Sequence, residues 1–215
     1  MNYKELSVQN YKRFCEFEGS DYIASEFAIE SILKIIQKFD VKNILELGLG
    51  IGSISDSVLK YSKNENKKIE YFGTEQNDFC LNSLKKNVAY YEKLKIYSDL
   101  NKIENLKFDL IIIDGYDKNL NSIKNYCKKQ TIIFIEGARK NQTEAILKIF
   151  PKSRYVNIIT LKKNKPYAHG GSNTNHYIGG GQLIFIEPSF RMILFWFNQK
   201  VLTFIKNKIR IYKIK

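Results

Sequence analysis

Apolar residues along this chain fall into two patterns that alternate. Over residues 22–39, Ile23, Phe27, Ile32, Leu33, Ile35 and Ile36 recur at roughly helical spacing, which predicts a helix. The next segment, 43–47, is a short apolar run that predicts a buried strand. It is followed by a helix to about Tyr61 that carries Ile54, Val58 and Leu59 at helical spacing. The polar stretch Lys63-Asn64-Glu65-Asn66-Lys67-Lys68 predicts a loop. The pattern then predicts strands over 69–74, 95–97, 108–113 and 131–135. It places helices over 78–89, 120–127 and 143–150, the last closed by Pro151.

Strand and helix alternate, and the runs at 108–113 and 131–135 are apolar without a period of two. Both features are those of a parallel sheet covered on both faces. The end of the pattern differs. Residues 154–161 and 182–186 are both strand-like with no helical pattern between them, so the two are expected to pair antiparallel. The predicted fold is α/β: a Rossmann-like, mostly parallel seven-stranded sheet with a C-terminal antiparallel hairpin and helices on both faces. A chain of 215 residues suits one such domain. It is expected at 22–188, between an N-terminal segment (1–21) and a basic amphipathic tail (189–215).

Composition refines this picture in three places. Cys15, Cys80 and Cys127 are widely spaced and form no C-x-x-C pair, which speaks against a disulfide framework or a zinc cluster and for a reducing cytoplasm. The polar, charged first 14 residues are expected to be neither a signal peptide nor a membrane span. The net charge of +13 is concentrated: residues 191–215 hold seven cations and no acid. Lysine greatly outnumbers the five arginines. Base-reading surfaces lean on arginine's planar fork, so nucleic acid is not the favoured partner.

In the tail, Phe190, Leu194, Phe197, Val201 and Ile205 share one helical face, flanked by Trp196 and Phe204. The longest apolar run, 192–197, is far short of the ~18–20 residues that cross a bilayer. Two placements stand level. One is an interfacial helix on anionic lipid, with the protein peripheral on the inner face of the membrane. The other is a helix packed on the domain or on a partner subunit.

The segment Glu46-Leu47-Gly48-Leu49-Gly50-Ile51-Gly52-Ser53 carries the chemistry. It lies between a predicted strand and a predicted helix, and its glycines allow positive φ and a close ligand approach. Glu46 beside this turn would repel a pyrophosphate but suits a ligand with a cationic amine. The dinucleotide fingerprint also wants glycine where this chain has Ser53. Glu75, Asp99, Asp114 and Glu136 fall at or just beyond later strand ends, on the edge where open α/β sheets bind ligands.

On these residues, 22–188 resembles the class I S-adenosylmethionine-dependent methyltransferases, most closely those acting on hydroxyls of small molecules or sugars. Glu46, Gly48, Gly50 and Gly52 match the family's first motif. The resemblance implies that Glu75 holds the ribose hydroxyls, with Gln76 beside it, and that Asp99 lies near the adenine. Phe108-Asp109-Leu110-Ile111-Ile112-Ile113-Asp114-Gly115 looks like the fourth-strand motif, without the N/D-P-P-Y/F of base methyltransferases. The implied cofactor is S-adenosyl-L-methionine. The implied acceptor is a hydroxyl on a small molecule or glycan, with RNA methylation or a catalytically silent binding protein as alternatives.

Asp114 is expected to contact cofactor and to take part in catalysis, by orienting the transferring methyl or the substrate. Binding a metal and capping the next helix are its other readings. Asp114, Asp117 and Glu136 offer three oxygen ligands to a divalent metal. The Asp-Asn pair of the family's metal-dependent members is replaced by Glu136-Gly137, however, so a metal is not favoured. His169 and His176, in a glycine-rich loop, are the only histidines, and His169 is chosen as the candidate proton acceptor. The oligomeric state is not legible.

Overall fold

A computed structural model of the protein describes residues 2–104, 106–168 and 174–212. Six α-helices and seven strands follow one another in these residues: α1 (Tyr3–Cys15), α2 (Glu26–Phe39), β1 (Asn43–Leu47), α3 (Ser53–Asn64), β2 (Glu70–Thr74), α4 (Asp78–Asn87), β3 (Leu94–Tyr97), β4 (Phe108–Ile113), β5 (Cys127–Glu136), α5 (Lys140–Ile149), β6 (Arg154–Ile159), β7 (Gly180–Phe185) and α6 (Phe190–Tyr212). The strands form one sheet in the order β3-β2-β1-β4-β5-β7-β6. β1 to β5 pair in parallel, and β7 runs antiparallel to both β5 and β6. The strand order reverses between β1 and β4, which opens a crevice at their carboxyl ends.

Both faces of the sheet are covered, and the side chains divide as a period of two requires. Ile44 of β1 and Leu110 and Ile112 of β4 join one core with α2 and α3. Leu45, Leu47, Ile111 and Ile113 join the other. Helix α2 supplies the deepest apolar stripe: Ile29, Ile32, Leu33, Ile35 and Ile36 are all buried. Each contributes about 1.5–3 kcal/mol of burial. Ser25 caps its start by accepting the Ala28 N–H, and Asp40, at φ 50, ends it.

The expected helix over 120–127 is a correction. Residues 120–126 form a 3₁₀ turn, and β5 begins at Cys127 rather than at 131. The reason lies in the spacing: Leu120, Ile123 and Tyr126 are three apart. That period matches the three residues per turn of a 3₁₀ helix and brings all three onto one face. The extra strand length is absorbed by a register shift between Phe108 and Leu110.

The first residues form α1, which packs on α2 and α3 with Leu6, Tyr11 and Phe14 buried. Its anchor is ionic. Asp56, fully buried in α3, pairs with Arg13 and with Lys60 at 2.8 Å and accepts the Ala89 N–H at 2.8 Å. Asp56→Ala removes the anion shared by both cations and the acceptor of the Ala89 N–H, so it is expected to cost about 2 kcal/mol and to lower the midpoint of thermal unfolding by several degrees. A melt indistinguishable from the parent's would show that α1 is held by packing alone.

Helix α6 lies along β6, the edge strand of the sheet. Three of its side chains donate to the strand's carbonyls and a fourth to the carbonyl just past the strand's end. Trp196 Nε1 reaches Tyr155 O at 2.8 Å, Thr203 Oγ1 reaches Asn157 O at 2.8 Å, Lys206 Nζ reaches Ile159 O at 2.8 Å, and Arg210 donates to Thr160 O. An exposed edge is thereby closed to stray strand pairing.

Candidate functional site

The glycine segment turns between β1 and α3 at the reversal of strand order, and its geometry is set by the chain around it. Gly48 has φ +87. A Cβ there would lie 2.5 Å from Gly115 Cα, because the ends of β1 and β4 cross backbone to backbone. At Gly50, φ +52, a Cβ would lie 2.2 Å from Tyr22 O. The glycines therefore serve chain packing first, and residues 20–22 sit directly on the turn.

The turn's N–H groups are also spoken for. Gly48 and Leu49 donate to Thr74 O, Gly50 to Glu75 Oε2 at 2.8 Å, Ile51 to Tyr22 O and Gly52 to Leu49 O. A loop that cradles a pyrophosphate turns such donors toward the ligand. This one turns them into the chain, so the nucleotide-phosphate reading lacks its donors.

What faces the crevice is acidic and polar. A cleft of about 160 Å³ is lined by Gly48, Thr74, Glu75, Gln76, Ser98 and the segment Tyr116-Asp117-Lys118. Glu75 is held in place by three N–H donors: Gly50 on one oxygen, Gln76 and Asn77 on the other. With two lone pairs on each oxygen, the oxygen shared by Gln76 and Asn77 is filled, and Oε2 keeps one site for a further donor. Glu46 is buried behind this cleft, with Oε2 accepting the Tyr71 hydroxyl at 2.6 Å. Its Oε1 has no hydrogen-bond partner among the described residues. Burial pushes its carboxyl well above the ordinary range; the Tyr71 hydrogen bond opposes this, and Asp114 and Glu75 add to it.

A second cluster lies at the ends of β4 and β5. Asp114 Oδ1 takes a hydrogen bond from Arg139 Nη2 at 3.2 Å, and Arg139 also donates to the backbone carbonyls of Asp114 and Glu136. Burial is the main cause that pushes the Asp114 carboxyl up to about 8. The nearby Glu136 raises it further and Arg139 pulls it down. Glu136 Oε1 accepts the Ser25 hydroxyl at 2.9 Å, so the residue that caps α2 also ties that helix to this cluster. Gly179, at the end of the long β6–β7 connection, lies against Ser25 and Glu136.

Of the residues singled out in the sequence, Gly48, Glu75 and Gln76 line the cleft, Gly50 holds Glu75 through its N–H and Glu46 is buried nearby, whereas Gly52 packs against Leu84 and Val88. Asp99 is placed differently: Oδ1 accepts the Asn101 N–H and the Asn119 side chain, so it caps a 3₁₀ turn, and Ser98 lines the cleft. Asp117 is likewise committed, with its two oxygens accepting Leu100 N and Asn119 N. Asp114, Asp117 and Glu136 therefore form no common ligand set, and no group of three candidate ligands for a metal occurs among the described residues. His169 lies outside the described residues. His176 is exposed, its carbonyl accepting the Asn164 N–H.

Sequence reasoning missed Arg139 and Ser25. Arg139 follows Glu136-Gly137 closely enough that a cation beside two carboxylates was a readable signal. Ser25 carried only the signal of a helix start.

No protein-family model matches the sequence, and no curated protein matches it. Solved structures do. An O-methyltransferase from Bacillus cereus, in complex with SAH, superposes with a TM-score of 0.59 at 11% identity, over 85% of this chain and 90% of that one. The O-methyltransferase TomG from Streptomyces achromogenes, involved in tomaymycin synthesis and in complex with SAM, gives 0.57 at 12% identity, over 85% and 89%. A Pyrococcus horikoshii protein provisionally assigned as an RNA methyltransferase gives 0.53 at 14%, over 86% and 95%. The fold is that of the class I S-adenosylmethionine-dependent methyltransferases, with its mostly parallel sheet and terminal antiparallel hairpin.

Proposed function

We propose that the protein is an S-adenosylmethionine-dependent methyltransferase whose acceptor is a hydroxyl on a small molecule or sugar. The observation that carries the reading is the crevice itself. A glycine turn whose donors are used internally stands between Glu46, with its orphaned buried oxygen, and Glu75, held rigid with acceptor capacity to spare. Such a pocket is acidic, short of anion donors and suited to a cationic nucleoside.

When bound, the cofactor supplies a methyl group activated by a sulfonium centre. Glu75 would accept one ribose hydroxyl on Oε2, the oxygen that keeps a free lone pair. Gln76 and Ser98 line the same cleft, and Asp114, once an arriving cation displaces its proton, adds the negative charge that favours a positive ligand over its neutral product. Arg139 and the Ser25–Glu136 bond fix the side of the crevice at β4 and β5, where an acceptor hydroxyl can lie beside Asp114. In its ionised form Asp114 can take the hydroxyl proton, while orientation of the acceptor supplies most of the rate. His169 remains the alternative proton acceptor proposed from the sequence, and a contact between Asp99 and the adenine requires Asp99 to keep its turn and reach the ligand at once.

Incubation with methyl-labelled S-adenosylmethionine and fractionated cell extract, with and without a chelator, tests the reading. Label is expected in a small-molecule or glycan fraction and insensitive to chelation. Label entering RNA alone would replace the acceptor. Tight cofactor binding with no transfer to any fraction would leave a silent binding protein.

A further inference from the structure

We propose that α6 docks the protein on an anionic membrane surface, using the face it turns away from the domain. The helix is not free to roll. Met192 and Phe195 are buried, and Trp196, Thr203, Lys206 and Arg210 are fixed to the carbonyls of Tyr155, Asn157, Ile159 and Thr160. The opposite face is apolar and in water: Phe190 is 75% exposed, Phe197 60% and Phe204 63%, with Leu194, Val201 and Ile205 also exposed. These positions are three or four residues apart, so they form one stripe along a helix of 23 residues, about 35 Å long. A stripe of this size is rarely left in water without a partner.

Charge chooses the partner. Helix α6 holds five cations and no acid. Lys206 and Arg210 are spent on the sheet edge, while Lys200, against the Trp196 ring, and Lys208, against the Phe204 ring, accompany the stripe, with Arg191 at its start. A groove of about 240 Å³ between α2 and α6 adds Lys34 next to Lys206. Burial is the main cause that holds Lys206 below its ordinary range; Lys34 and Arg210 lower it further and Glu30 opposes them. A second copy of this face would bring cations onto cations in a two-fold pair. Nucleic acid would satisfy the charge but leave the aliphatic stripe in water. An anionic bilayer satisfies both, with the apolar side chains in the interface and the lysines among headgroups. No helix among the described residues is long and apolar enough to cross a membrane, so the geometry is that of a helix lying flat.

The proposal does not depend on methyl transfer, and its test is separate. The full chain is floated with phosphatidylcholine vesicles, with and without phosphatidylglycerol. Flotation is expected only with the anionic lipid, and it should fall as salt rises. Phe197→Glu with Phe204→Glu should abolish it. Lys200→Glu with Lys208→Glu should weaken it by roughly fivefold or more for each position. All four side chains point outward, so each variant should keep the parent's melt and cofactor affinity. The proposal is overturned by no flotation with anionic vesicles, or by flotation that survives the double phenylalanine change. It is also overturned if sedimentation shows a lipid-independent dimer that this change dissociates.

Discussion

Glu75→Ala is expected to weaken S-adenosylmethionine binding by roughly 10- to 100-fold, the scale of one hydrogen bond to a charged acceptor. The loss should be the same for S-adenosylhomocysteine, because both ligands carry the ribose. Glu75→Gln should fall between, retaining one acceptor oxygen but no charge. Part of the effect is indirect, since Glu75 also accepts the N–H groups of Gly50, Gln76 and Asn77. Thermal unfolding of the unliganded variants separates the two contributions: helix α4 keeps its own cap through Asn77, so the melt should move only slightly. Calorimetric affinity unchanged in Glu75→Ala would remove the ribose from this crevice and with it the proposed function.

The second large effect concerns a proton. With its carboxyl pushed up to about 8, Asp114 is mostly protonated at pH 7 in the unliganded protein. A cation arriving in the crevice favours the carboxylate and lowers that value, so the proton leaves. S-adenosylmethionine binding at pH 7 should therefore release protons, measured by calorimetry in buffers of different ionisation heat. S-adenosylhomocysteine, whose sulfur is neutral, should release fewer. Asp114→Asn should erase most of the difference and slow methyl transfer by roughly 100-fold. Equal proton release for the two ligands would place the sulfonium away from Asp114.

The same group fixes a stability trend. An acid whose folded value is raised stabilises the fold fully at pH below its unfolded value, near 4. That stability is lost as pH rises through about 8. The unliganded protein should lose stability across this window. Asp114→Asn should flatten the trend, gaining about 2 kcal/mol at pH 8 once the carboxyl's residual exposure is allowed for.

How much of this was legible depends on the kind of signal. Strand and helix identities along 22–150 follow from local apolar spacing, and only the 120–127 segment was misassigned, because a period of three was taken for one of 3.6. The terminal hairpin was readable from two strand-like runs with no helix between them. That β7 inserts between β5 and β6, leaving β6 at the edge, was not readable, since pairing order is decided by contacts between segments far apart in sequence. The position of α6 follows from that order: three of its donors meet alternate β6 carbonyls, at Tyr155, Asn157 and Ile159, a match of helix to strand that no window of sequence contains.

The acidic crevice shows the same division. Glu46, Glu75 and Asp114 were visible as carboxylates at strand ends, since a parallel sheet sends all its carboxyl ends to one edge. Their individual states were invisible, because a carboxylate's character is set by neighbours it meets only after folding. Asp99 and Asp117 became turn caps, Glu75 a rigid acceptor, and Asp114 a mostly neutral acid between Arg139 and Glu136. The order of apolar and polar residues was enough to identify the parallel strands and the edge where their carboxyl ends gather. Only the folded chain decided which carboxylates there stand close, how dry they are and which donors remain, because those depend on distances across the sheet rather than along the chain.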